Sequence, residues 1–112
     1  MSGKHLVIDV HNIIDYATIE KVENIKLLME TIIKENNLNV VGEVHKQFEP
    51  VGATCLYLLA ESHLSCHTYP ERKYVAIDLY CCTDSVDFNN VLDIVYKFFK
   101  GDCWIRQKRF VR

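Results

Sequence analysis

Glycine and proline are scarce, at four and two of 112 residues, so the chain has little material for a linker. It shows no internal repeat and no low-complexity segment. A chain of this length suits one domain with a modest core, and the expectation is a single domain over residues 1–112. No apolar run approaches the roughly 18 residues of a membrane helix. The opening "MSGKHLVIDV" has one basic residue and a short run broken by Asp9, which is not a signal-peptide pattern. A dense basic stripe is missing too. The formal net charge is −2, and the one basic cluster, "RQKRFVR" at the C-terminus, fits a solvated strand end better than a nucleic-acid surface. Neither membrane nor nucleic acid is an expected partner, and the chain reads as cytosolic. The cysteines, Cys55, Cys66, Cys81, Cys82 and Cys103, are odd in number, which argues against a disulfide framework in that compartment. Most suit small core positions, with room for one reactive thiol.

What is present is patterned. Residues 5–10 form a short β-type run. Residues 17–37 predict a helix with Thr18 as N-cap, because Val22, Ile25, Met29, Ile32 and Ile33 recur at three- and four-residue spacing. Strands follow at 39–48, with a bulge at Gly42, and at 53–62 after the turn "EPVG". Residues 63–69 look extended up to Pro70, and 73–82 alternate as a half-buried strand does. A second helix is predicted over 87–100, closed by Gly101 as the residue just past its end, and a last strand over 103–111. Consecutive strands with short turns favour antiparallel pairing, and two helices cover one sheet face. The predicted fold is α+β, a two-layer sandwich of an antiparallel sheet with two helices on one face. Leu56, Leu58 and Ala60 alternate with Cys55, Tyr57 and Leu59, so this strand is apolar on both sides. Nothing in the chain is left to cover the second side, which predicts a homodimer packed sheet against sheet.

The stretch "AESHLSCHTYPE" (60–71) stands out after the apolar run "CLYLLA". A polar turn between strands would account for it, since Ser, His and Thr are common in turns. A zinc site is a second possibility, because His63 and His67 share parity and Cys81–Cys82 follow. No CxxC pair exists, however, and adjacent strand cysteines point to opposite faces. A Ser–His hydrolase is a third, but the glycine-flanked nucleophile elbow is absent.

A fourth reading comes from resemblance. "LLAESHLSCHTYPERKYVAIDLYCCTDSVD" (58–87) resembles the core of the small prokaryotic-type S-adenosylmethionine decarboxylases: Glu-Ser-His, then His-Thr-aromatic-Pro-Glu, then a strand with Ala-x-Asp, then a cysteine before an Asp-x-Val-Asp-like turn. "GKHLVIDV" and "FEPVGAT" resemble the family's first strand and its turn into the third. The resemblance implies a proenzyme that cuts itself between Glu61 and Ser62, into residues 1–61 and 62–112. Ser62 Oγ attacks the Glu61 carbonyl to give an ester. Loss of the Ser62 α-proton then expels that ester, and the dehydroalanine loses ammonia to become a pyruvoyl group. This covalent cofactor, made from Ser62, takes a substrate amine as a Schiff base and drains electrons from the bond to the leaving carboxylate.

The resemblance also assigns neighbours. His67 is the implied base for the Ser62 α-proton, and Cys82 the implied acid that returns a proton to the substrate carbon. Thr54 stands where the family usually has serine and keeps a hydroxyl for processing. Phe48 and Tyr69 are the rings implied to stack on adenine, with Tyr69 in place of a commoner tryptophan, and Glu71 the carboxylate implied for the ribose. Lys46 stands where histidine is frequent, with His45 displaced by one. No metal is implied. The implied substrate is S-adenosylmethionine, whose decarboxylated product serves spermidine synthesis. Ornithine or arginine decarboxylation on the same scaffold, and an uncut regulatory paralogue, are the alternatives these departures leave.

Overall fold

Side-chain alternation decides which side of the sheet is covered. The computed structural model describes residues 3–82 and 86–112. Among them the chain runs β1 (Lys4–His11), a 3-10 turn (Tyr16–Ile19), α1 (Val22–Glu35), β2 (Val40–Gln47), β3 (Ala53–Leu59) and β4 (Ser62–Tyr69). A second 3-10 turn (Pro70–Arg72), β5 (Tyr74–Cys81), α2 (Phe88–Phe98) and β6 (Trp104–Val111) follow. The strands form one antiparallel sheet in the order β2-β3-β4-β5-β1-β6. Leu6, Ile8 and Val10 of β1, Cys55 and Tyr57 of β3, Leu64 and Cys66 of β4, and Ile77 and Leu79 of β5 point to one face. There they share a single core with Ile25, Met29 and Ile32 of α1 and Val91 and Val95 of α2. The fold is thus the expected two-layer α+β sandwich. Each of these large side chains contributes about 1.5–3 kcal/mol by burial. Leu64→Ala, in the fully buried centre of β4, is expected to lower stability by about 2–5 kcal/mol in a urea melt.

The helix ends show what local pattern misses. Thr18 does not cap α1. It lies in the 3-10 turn, where its Oγ1 donates to the Asp15 carbonyl at 2.7 Å. The cap is supplied from β2: Gln47 Oε1 accepts from Val22 N–H at 2.7 Å, while its Nε2 donates to the carbonyls of Glu20 and Gly52 at 2.9 Å. This amide fixes the helix start to the β2–β3 turn. At the far end of α2, Lys100 (φ 57°) takes the left-handed position expected of Gly101. Lys100 N–H bonds to Lys97 O and Gly101 N–H to Tyr96 O, both at 3.0 Å, a Schellman closure with Gly101 one place later. The ladder shifts register between Val40 and Gly42, at the expected bulge.

Among the described residues the second face carries no helix. Its rows follow from the register. Lys46, Thr54, His67, Ala76, Asp9 and Arg106 form one row, and Val44, Leu56, Ser65, Asp78, Val7 and Lys108 the next. At the β2–β3 side it is apolar, with Val44 68%, Leu56 42% and Leu58 58% exposed.

Candidate active site

β3 and β4 are joined by a two-residue hairpin, because Leu59 pairs directly with Ser62. The expected strand over 53–62 therefore breaks at Ala60–Glu61. Glu61 adopts φ 66°, a left-handed conformation that costs a residue with a side chain about 1–2 kcal/mol. Such strain concentrates at functional positions. Ser62 Oγ donates to the Ala60 carbonyl at 3.3 Å, and the Cys82 thiol donates to the Glu61 carbonyl at 3.1 Å. Cys82 reaches that carbonyl because it follows β5, which pairs beside β4, and because Cys81 takes the opposite, core-facing parity. Glu61, Ser62 and Cys82 are thus brought together at one end of β4.

The other end of β4 holds a cleft of about 320 Å³, within the range of small-molecule sites. Phe48, Thr54, His67, Tyr69 and Glu71 all line it. Phe48 leaves the end of β2, and Glu71 sits in the 3-10 turn that Pro70 begins. Thr54 and His67 face each other across the β3–β4 ladder, with Oγ1 and Nδ1 hydrogen-bonded at 2.9 Å. Thr68, one residue on and on the core side, ties this end down by accepting from Ala53 N–H and donating to the Ile19 carbonyl, both at 2.8 Å. Tyr69 stacks on Tyr74 at 5.5 Å, and the Arg72 guanidinium lies over both rings at 5.5 and 5.2 Å.

The two groups are not brought together within one chain. His67 lies five positions after Ser62 along an extended strand, about 16 Å, and Tyr69 seven positions after it, about 23 Å. His63 and His67 are about 13 Å apart by the same measure, too far to share an ion. Among the described residues no three His, Cys, Asp or Glu side chains converge on a metal position. Lys46 faces the row of His67, while His45 turns to the helix side against Tyr57. Of the turn after Cys82, Asp84 and Ser85 lie outside the described residues; Asp87 caps α2 by accepting from Asn89 and Asn90 N–H.

Thiol environments differ. Burial pushes Cys55 up to about 11 and holds Cys66 well above the ordinary thiol range, so both are inert core groups. Cys82 is half-buried at the sheet end. One residue escaped the sequence reading. Arg72 could have been noticed from its place in "YPERKY".

The chain is similar to known proteins over nearly its whole length. Residues 4–110 match the family described as S-adenosylmethionine decarboxylase. The S-adenosylmethionine decarboxylase proenzyme of Sulfurihydrogenibium sp. (strain YO3AOP1) is 38% identical over 98 residues, covering 88% of this chain and 73% of the relative. S-adenosylmethionine decarboxylase proenzyme 2 of Bacillus cereus (strain ATCC 14579) is 33% identical over 110 residues, covering 98% and 88%. The crystal structure of the adenosylmethionine decarboxylase of Aquifex aeolicus superposes with a TM-score of 0.80 at 32% identity, covering 98% of this chain and 88% of that one.

Proposed function

Because the chain belongs to the S-adenosylmethionine decarboxylase family, we propose that it removes the carboxyl group of S-adenosylmethionine, making the aminopropyl donor for spermidine synthesis. One observation carries the reading: a single cleft gathers two rings that can sandwich a purine, Phe48 and Tyr69, a ribose-binding carboxylate, Glu71, and the Thr54–His67 pair. Arg72 fixes a positive charge beside that cleft.

The proenzyme chemistry fits the hairpin. Ser62 follows a left-handed Glu61 whose carbonyl already accepts a hydrogen bond, so attack by Oγ relieves a strained corner and meets a polarised carbon. Cleavage gives residues 1–61 and 62–112. A pyruvoyl group made from Ser62 supplies the ketone that takes the substrate amine and accepts the electron pair left by carbon dioxide. His67, whose Nδ1 shares a hydrogen bond with Thr54 Oγ1, is the base for the Ser62 α-proton through Nε2 in the tautomer that carries its proton on Nδ1. Cys82 gives its thiol proton to the substrate carbon.

For these groups to meet, a second chain is needed. The nucleoside C5′ is joined to the substrate α-carbon by four bonds, about 5–6 Å. That is far short of the length of β4. A two-fold axis between two sheets and across their strands runs the partner's β4 antiparallel. Ser62 and Cys82 of one protomer then face the cleft of the other. The exposed Val44, Leu56 and Leu58 supply the apolar surface for such a sheet-to-sheet homodimer. No helix among the described residues is long and apolar enough to cross a membrane, and free cysteines suit the cytosol.

Carbon dioxide release from carboxyl-labelled S-adenosylmethionine, ornithine and arginine tests the substrate. Release from S-adenosylmethionine is expected to dominate. Loss of the Phe48 ring should weaken that substrate roughly tenfold, given about 1–3 kcal/mol for stacking on a base. Faster release from ornithine or arginine would overturn the nucleoside reading, and a persistently uncut chain would favour the regulatory paralogue.

A further inference from the structure

Both walls of the cleft hang from two consecutive carbonyls at the entry to α1. On the Tyr69 side, Thr68 Oγ1 donates to the Ile19 carbonyl at 2.8 Å; on the Phe48 side, Gly52 N–H donates to the Glu20 carbonyl at 3.0 Å. Gln47 joins the second wall to the same point. Its Nε2 donates to the carbonyls of Glu20 and Gly52, with the Phe48 carbonyl within reach at 3.1 Å, and its Oε1 accepts from Val22 N–H. These partners fix the orientation of the amide, since a carbonyl can only accept and an N–H only donate. The turn itself is closed by Phe48 N–H on the Gly52 carbonyl at 2.8 Å. The Phe48 ring is 46% exposed, so burial contributes little to its placement. Tyr69, by contrast, is backed by the Tyr74 ring and the Arg72 guanidinium.

We infer that Gln47 is a positioning residue for the Phe48 wall of the cleft: its carboxamide binds the 48–52 turn to the start of α1 and so sets the gap between Phe48 and Tyr69 that receives a planar base. This deepens the nucleoside reading of the cleft and rests on it. A side-chain amide suits the place because it accepts from a helix N–H and donates to turn carbonyls at once. A carboxylate would keep the first task and gain from the positive end of the helix, but it has no proton for the second. An apolar side chain of similar length does neither. With the tie gone, the ring is still present but no longer held. Its stacking on the base is then spent on ordering the turn when the ligand binds.

The test is a double-mutant cycle read by calorimetry on uncut Ser62→Ala protein. The probe is methylthioadenosine, a nucleoside whose binding needs neither the pyruvoyl group nor turnover. Phe48→Ala should weaken binding roughly tenfold. Gln47→Met should weaken it about fivefold where Phe48 is present and less than about twofold in Phe48→Ala protein, since a residue that acts through the ring then has nothing to place. Gln47→Glu, which keeps the helix cap, should repeat that pattern, and it serves in place of Gln47→Met if that variant does not fold. In the processed enzyme the loss in Gln47→Glu should appear in KM with kcat unchanged. Equal weakening in both backgrounds, no weakening where Phe48 is present, or a loss carried wholly by kcat would overturn the inference. Methylthioadenosine bound as tightly by Phe48→Ala as by the protein with the native ring would overturn the stacking reading beneath it, and the assignment to Gln47 with it. The two failures are distinguishable, because Phe48→Ala alone decides the second.

Discussion

Ser62→Ala is expected to leave the chain in one piece and to abolish decarboxylation. Without Oγ nothing attacks the Glu61 carbonyl, and an amide left alone does not hydrolyse on a laboratory timescale. The methyl group fits the same place, since Ser62 Oγ makes one local bond, to the Ala60 carbonyl. Folding should therefore be intact and the loss chemical. Intact mass of the native protein should show two fragments, the second blocked at its N-terminus, against a single uncut mass for the variant. His67→Ala arrests one step later. Its ester forms because Ser62 needs no help from the base to remain a nucleophile, but the α-proton stays. Hydroxylamine should then cut the arrested chain between Glu61 and Ser62 and should leave Ser62→Ala whole. An arrested His67 variant that hydroxylamine cannot cut would mean that His67 acts before the ester, and would reassign it to activating Oγ.

How much of this could be read from residue order depends on whether the determining interactions are local. The apolar faces of α1 and α2, the alternation in β1 and β5 and the two-layer arrangement follow from periodicity, which a linear chain displays. The cap on α1 does not. Gln47 lies 25 residues from the N–H it satisfies, and Thr18, the local candidate, is spent on Asp15. The β3–β4 hairpin was hidden for another reason. Ala60 and Glu61 carry no turn signal, because the left-handed position is held by a glutamate where glycine or asparagine would announce it. A residue set against turn propensity fits the cut proposed for this corner. The cleft residues were legible as a set, yet the distance between them and Ser62 was not. "ESHLSCH" places Ser62 and His67 close in order, while an extended strand places them far apart.

That separation leads to the prediction with the sharpest outcome, which is recovery of activity from two inactive proteins. Glu71→Gln disables the cleft end of β4, and Cys82→Ala disables the reaction end. Each homodimer carries its lesion in both sites and should be nearly silent. In a heterodimer built as proposed, one site draws Cys82 from the first chain and Glu71 from the second, and both are native. The other site draws both altered residues. Co-expression with statistical pairing makes half the dimers mixed, each with one good site of two, so about a quarter of native activity per chain should return. If each site were built within one chain, every site in the mixture would keep one lesion and nothing would return. Both substitutions are at positions outside the core cluster, so loss of folding does not imitate the result. Two tags purified in sequence would isolate the mixed dimer, where activity should rise to about half of native. A mixed dimer no more active than its parents would overturn the shared site. It would also return the problem to how one chain could bridge the length of β4.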